Sequence, residues 1–295
     1  GQYVVPHFRF DRSQVTVLLG VDPVADGPHA LEAQRELAES RRLQHGKIGR
    51  LLAFEPLMSS AGSIADERYR VGPEALADIA LSLVQLVSAR APQEYAWVGK
   101  KVTAYGPAGV EKKHHLRSGL LTELADELWD HRGKCLLVAG GPNATSSSGP
   151  ALLNAVNLLN SMLENDGITV QVGTQAHQHA AGTPGGLQDL LGRMQNSQIE
   201  ALVIVDLDLA YRLAPGLKFV EALKKVPFKL GMFTHRHATG KLCDIVMPNH
   251  HFLESWSDGE PKKGLFTMGQ PTIQPLWDTR EKEQSLLRLA RMASS

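Results

Sequence analysis

Short β-branched runs that end in glycine or an acid, each followed by a helical stretch, recur along this chain of 295 residues, and that rhythm restricts its fold more than any other feature. Val15–Leu19 runs into Gly20 and precedes a helical pattern over residues 31–40. Residues 51–54 end at Glu55-Pro56, and a strongly apolar helix over 74–87 follows, opened by Pro73. Residues 91–117, rich in Gly, Pro and paired basic residues, have no clear period and read as a connection. The rhythm then resumes with helix 120–129, strand Cys135–Ala139, loop 140–149, helix 150–165, strand 169–172 and helix 187–196. Ala201–Val205 is continuously apolar, as expected of a strand covered on both faces. Helix 217–225, strand Phe228–Phe233 and a short strand over 245–247 follow. The alternation predicts an α/β protein of doubly wound, mostly parallel, Rossmann-like sheets, with any ligand near the carboxyl ends of the strands. Three segments are expected: 1–117, a first α/β unit plus its connection; 118–251, a second Rossmann-like domain; and 252–295, a loop-rich tail with a terminal helix over 281–292.

Charge and sulfur narrow the function. The 31 Lys and Arg residues balance 31 Asp and Glu, so no long-range field favours nucleic acid, and no basic stripe offsets that balance. No apolar run reaches the length of about 18 residues needed for a membrane-spanning helix. An iron–sulfur cluster takes about four thiolates, whereas Cys135 and Cys243 stand alone and far apart, so no cluster is expected here and two free thiols are. The first residues lack a signal-peptide pattern, and a start at Gly1 reads as a processed product or an excised fragment.

Several groups could carry chemistry. Gly140-Gly141-Pro142-Asn143 joins a strand to a helix whose positive end could face an anion, as in a remnant nucleotide loop. With no second glycine at Rossmann spacing, an ordinary glycine turn explains it as well. Asp206 and Asp208 fall on one face of an extended segment, as a carboxylate pair or as acids capping a strand end in water. The spacings His177-x-His179 and His235-x-His237 put two rings on one side, which suits a metal; no carboxylate is spaced to complete the first set, and no metal is expected. Ser146-Ser147-Ser148 lacks the Gly-x-Ser-x-Gly elbow of a hydrolase, and no catalytic residue is assigned. Trp256 and Trp277 are either interface anchors or residues that close the core.

Cys243-Asp244-Ile245-Val246-Met247-Pro248, followed by Phe252-Leu253-Glu254-Ser255-Trp256, resembles the molybdopterin oxidoreductase signature in which a strand ends beside the cofactor, and Gly269-Gln270-Pro271-Thr272-Ile273-Gln274-Pro275 extends the likeness. More narrowly, residues 249–256, residues 275–280 and the segment 219–228 resemble the large iron–sulfur subunit of alternative complex III, a quinol:electron-acceptor oxidoreductase. Pro6-His7-Phe8-Arg9-Phe10-Asp11 and Ala65-Asp66-Glu67-Arg68 agree with it. Two departures bear on the cofactor. Asp206-Leu207-Asp208-Leu209 stands where molybdenum enzymes share a Gly-x-Asn-Pro turn, and Gly72-Pro73-Glu74-Ala75 stands where nucleotide binders have Pro-Gly-Thr-Asp.

The resemblance therefore implies a cofactor-free structural and assembly domain. Its expected partners are a ferredoxin-like domain that holds the iron–sulfur clusters, a multihaem cytochrome and integral membrane quinol-binding subunits. It further implies a peripheral position on the periplasmic face of the bacterial inner membrane, with His250 and His251 packing at an interface. Two alternatives stay open: a fragment of a true molybdopterin guanine dinucleotide oxidoreductase, and a small-ligand α/β module with zinc on His177 and His179.

Overall fold

A strand whose every side chain is buried needs cover on both faces of its sheet, and Val15–Leu19 is such a strand. The computed structural model describes residues 6–27, 29–43, 48–172 and 184–294, which fall into two units, the first ending at 172 and the second beginning at 184. In chain order the first unit comprises β1 (His7–Phe8), β2 (Val15–Leu19), α1 (Ala30–Ser40), β3 (Arg50–Glu55), α2 (Ser60–Ser63), β4 (Glu67–Arg70) and α3 (Pro73–Ser88). It continues with α4 (Ala96–Lys101), α5 (Pro107–Lys113), α6 (Leu120–Asp130), β5 (Cys135–Ala139), α7 (Gly149–Met162) and β6 (Val170–Gln171).

Four of these strands form a parallel sheet in the order β4-β3-β2-β5. Val15, Val17 and Leu19 join Leu52, Phe54 and Leu137 in a core with apolar residues of α3, α6 and α7. Leu18 joins Leu51, Ala53, Leu136 and Val138 in a second core with Phe10 and with Ala33 and Leu37 of α1. Sequence alternation thus feeds two cores, and each fully buried leucine contributes about 2 kcal/mol. The free edge of β5 is answered by a side chain: Asn160 of α7 donates to the Leu137 carbonyl at 2.8 Å and accepts from the Leu137 amide at 3.2 Å.

The break expected near residue 117 is not where the units divide. β5 is hydrogen-bonded along its length to β2, so residues 118–172 complete the first sheet. Residues 91–117 hold α4 and α5 rather than a bare connection, and the strand expected at 169–172 is a two-residue antiparallel partner of β1.

The second unit comprises α8 (Pro184–Gln195), β7 (Ala201–Val205), α9 (Leu209–Arg212), α10 (Phe219–Lys224), β8 (Phe228–Phe233), β9 (Ile245–Pro248), β10 (Ser257–Lys262), β11 (Leu265–Gly269) and α11 (Lys282–Ala293). Strands β7-β8-β9 are parallel, and β10 and β11 form an antiparallel hairpin within the stretch read as loop. Ile204 and Phe233 pack on Leu191 and Met194 of α8 and on Phe219, Ala222 and Leu223 of α10. The opposite face is partly bare. Val203, Leu230 and Ile245 lie side by side in register; only Leu230 is buried, with Val203 45% and Ile245 50% exposed. The double cover expected for Ala201–Val205 is therefore single among the described residues.

Candidate functional site

In open α/β sheets ligands sit outside the carboxyl ends of the strands, and all three strands of the second sheet end in one cleft of about 660 Å³. Its walls include Asp206 and Asp208 after β7, His235 and His237 after β8, Asn249, His250 and His251 after β9, then Trp256, and Lys282 at the start of α11. Seven of the residues singled out from sequence thus meet here: Asp206, Asp208, His235, His237, His250, His251 and Trp256. Gly140, Gly141 and Asn143 belong to the first unit, and His177 and His179 lie outside the described residues.

Asp206 and Asp208 do not act as a pair on an extended face. Asp206 adopts a left-handed backbone, φ 50°, which ends the strand and separates the two side chains. Its carboxylate accepts from Asn249 Nδ2 and from Lys282 Nζ, each at 3.1 Å. Asp208 instead accepts from the Thr239 hydroxyl at 2.7 Å and the Thr239 amide at 3.0 Å, and it lies 3.3 Å from His237 Nδ1. The Thr239 hydroxyl bond, more than any other contact, holds the Asp208 carboxyl below its ordinary range. Thr239 and Lys282 carried no signal in the sequence, because they reach the site through tertiary packing.

The neighbouring segment is fixed by its own hydrogen bonds. His250 Nδ1 shares a hydrogen bond with the Thr279 hydroxyl. The His251 amide donates to Glu254 at 2.9 Å, while His251 Nδ1 accepts from the Leu253 amide at 3.3 Å, a reciprocal cap on the turn. Glu254 also accepts from the Leu276 amide at 3.0 Å; that bond, then the one from His251, lowers its pKa. The two imidazoles thus organise the chain. Trp256 and Trp277 are 54% and 79% exposed, so neither closes a core.

A pterin dinucleotide would bring a diphosphate to strand ends, where glycines allow close backbone approach and helix N-termini supply N–H donors. The residues present fit such a group poorly. The loops running 206–212, 234–239 and 249–251 contain no glycine. In the first sheet the glycines serve internal packing. A Cβ at Gly20 would meet Asn143 Nδ2 at 2.5 Å, because Asn143 donates to the Gly20 carbonyl at 2.8 Å and bridges the ends of β2 and β5. That crevice is the point where the strand order reverses.

Carboxylates of the chain itself already occupy helix N-termini. Asp22 accepts from the Ser60 amide at 2.7 Å at the start of α2, and Glu74 lies directly against Gly72, the N-cap of α3. Buried Glu111 accepts from the Gly119 and Leu121 amides at 2.9 and 2.8 Å at the start of α6.

No protein-family model matches the chain. It is 24% identical over 258 residues to the menaquinone reductase, molybdopterin-binding-like subunit, of Nitratidesulfovibrio vulgaris, a match covering 79% of this chain and 36% of that protein. Among solved structures it is similar to acetylene hydratase from Pelobacter acetylenicus, with a TM-score of 0.71 and 12% identity over 98% of this chain and 48% of that one. The chain therefore spans well under two thirds of both proteins. Free thiols are found at both cysteines, and no described helix is long and apolar enough to cross a membrane. Together the parallel sheets and these two likenesses make the chain a molybdopterin-oxidoreductase-like domain in fold.

Proposed function

We propose that this domain is a structural, cofactor-free part of a quinone-linked respiratory oxidoreductase of the alternative complex III kind. It docks against membrane-bound quinol-binding subunits, a multihaem cytochrome and the ferredoxin-like iron–sulfur domain that carries the electrons, on the periplasmic face of the membrane. The observation that carries this reading is the internal use of anion positions: Asp22 and Glu111 accept from amides at the N-termini of α2 and α6, Glu74 sits in the first turn of α3, and Asp208 takes the Thr239 amide beside the second sheet. A diphosphate approaching these donors meets negative charge in place of free N–H groups.

Uncovered apolar surface supports the docking half of the proposal. The open row of Val203 and Ile245 is matched by Phe266 and Met268 on β11 and by Trp277, all exposed. A parallel sheet bare on one side is completed by something outside the described residues. The test is elemental and pterin analysis of the chain after separation from its native complex. Molybdenum, tungsten and pterin all well below stoichiometric amounts are the expected result. One equivalent of molybdenum or tungsten with pterin sinks the proposal in favour of a true molybdopterin oxidoreductase.

A further inference from the structure

We propose that His7, Glu32 and Glu36, with His29 beside them, form a binding site for one divalent first-row transition-metal ion, with Zn2+ as the probe. The site is independent of the assembly reading and departs from the sequence expectation of no metal. One imidazole nitrogen and one oxygen from each carboxylate lie within 4.8 Å of one another. His7 Nε2 is 3.0 Å from Glu36 Oε1 and 3.5 Å from Glu32 Oε1. Zinc bonds of about 2.0–2.2 Å in a tetrahedron set ligand atoms roughly 3.3–3.6 Å apart, so small side-chain adjustments admit the ion. The other Glu32 oxygen is 3.8 Å from His29 Nδ1, which places a second imidazole within reach as fourth ligand.

The fold builds this cluster. His29, Glu32 and Glu36 follow at spacings of three and four, so they share one face of α1. His7 is placed over that face by pairing with Gln171 across β1 and β6. The Phe10 amide donates to Glu36 Oε2 at 3.1 Å, which leaves Oε1 turned toward His7. Arg9 reaches Glu36 Oε1 at 3.2 Å, yet two hydrogen bonds of 2.9 and 2.6 Å tie its guanidinium to Asp11, where it stays when an ion takes Oε1. Mixed nitrogen and carboxylate donors select zinc or iron over calcium and magnesium. His7, His29 and Glu32 also line an apolar cleft of about 170 Å³ with Val21 and Ala139, at the carboxyl ends of β2 and β5. Where only His7, Glu32 and Glu36 ligate, the fourth position faces this cleft and takes water or a small ligand.

The experiment is calorimetric titration of the full metal-free chain with Zn2+ under reducing conditions, joined to the visible spectrum of the Co2+ form. Expected are one equivalent of Zn2+, at least tenfold weaker binding in Glu32→Gln and Glu36→Gln, unchanged affinity in the His177→Ala/His179→Ala double variant, and a Co2+ spectrum without a thiolate charge-transfer band. If Glu36→Gln fails the circular-dichroism check for folding, Glu32→Gln, at the more exposed edge, decides. No stoichiometric binding, full affinity in Glu32→Gln, loss only in the double histidine variant, or a thiolate band each overturns the proposal.

Discussion

The two sheets of this molecule are made from similar strands and are treated differently. β2 and β7 are both five-residue, β-branched-rich strands in parallel sheets, yet β2 is buried at all five positions while β7 buries only Ile204 fully. In the first unit α3, α6 and α7 cover one face and α1 the other; in the second, α8 and α10 form a core on a single face. What differs is the company a strand keeps, which its own five residues do not encode. Stability is therefore expected to concentrate in the first sheet and contact with partners in the second.

That contrast can be broken by measurement. Leu83→Ala, in the middle of α3 and fully buried, is expected to cost about 3 kcal/mol in urea unfolding. Val203→Ser on the open face should stay within about 0.5 kcal/mol in the isolated chain while weakening complex assembly. Equal costs at the two positions would mean the open face is covered in solution.

Sulfur chemistry gives a second, slightly smaller effect. Burial pushes the Cys135 thiol from 9.0 to about 11, whereas Cys243 is half-buried and its thiol is raised, chiefly by burial. With the folded pKa above the unfolded one, the contribution is fully present below pH 9 and is lost as pH rises toward about 11, a change on the order of 2 kcal/mol. Cys135→Ala should flatten stability across that window. At pH 8, alkylation should mark Cys243 first and reach Cys135 only at the rate of global unfolding; simultaneous labelling would remove the distinction between the units. A smaller loss, about 1 kcal/mol, is expected of Asn143→Ala in urea unfolding, with the bridge to Gly20.

The strands that sequence revealed are those whose apolar side chains serve a core. β4 was invisible because Glu-Arg-Tyr-Arg carries an edge strand by ion pairs, with Arg68 on Glu55 at 2.6 Å and Arg50 shared between Glu67 and Glu127. The β10–β11 hairpin escaped for a similar reason: Ser-Asp-Gly-Glu-Pro-Lys has little strand propensity, and Gly264, at φ +80°, supplies the turn. At the cleft, Asp206 and Asp208 were legible as acids at a strand end, and His250 and His251 through the family resemblance, as packing residues at an interface. Their partners Thr239, Asn249, Thr279 and Lys282 come from elsewhere in the chain. The His29, Glu32, Glu36 spacing was a readable signal that went unused, since its fourth member, His7, arrives only through β-pairing.

The bridge from Asn143 to Gly20 joins residues 123 apart in the chain. In synthesis β2 precedes both of its neighbours, and its edge toward β5 has no partner until β5 has been made. For most of the translation of this unit the nascent chain thus exposes an apolar strand edge, a template for wrong pairing. Asn143 is the latch that closes this interval: once it engages the Gly20 carbonyl, the earliest-made strand of the sheet is flanked on both sides.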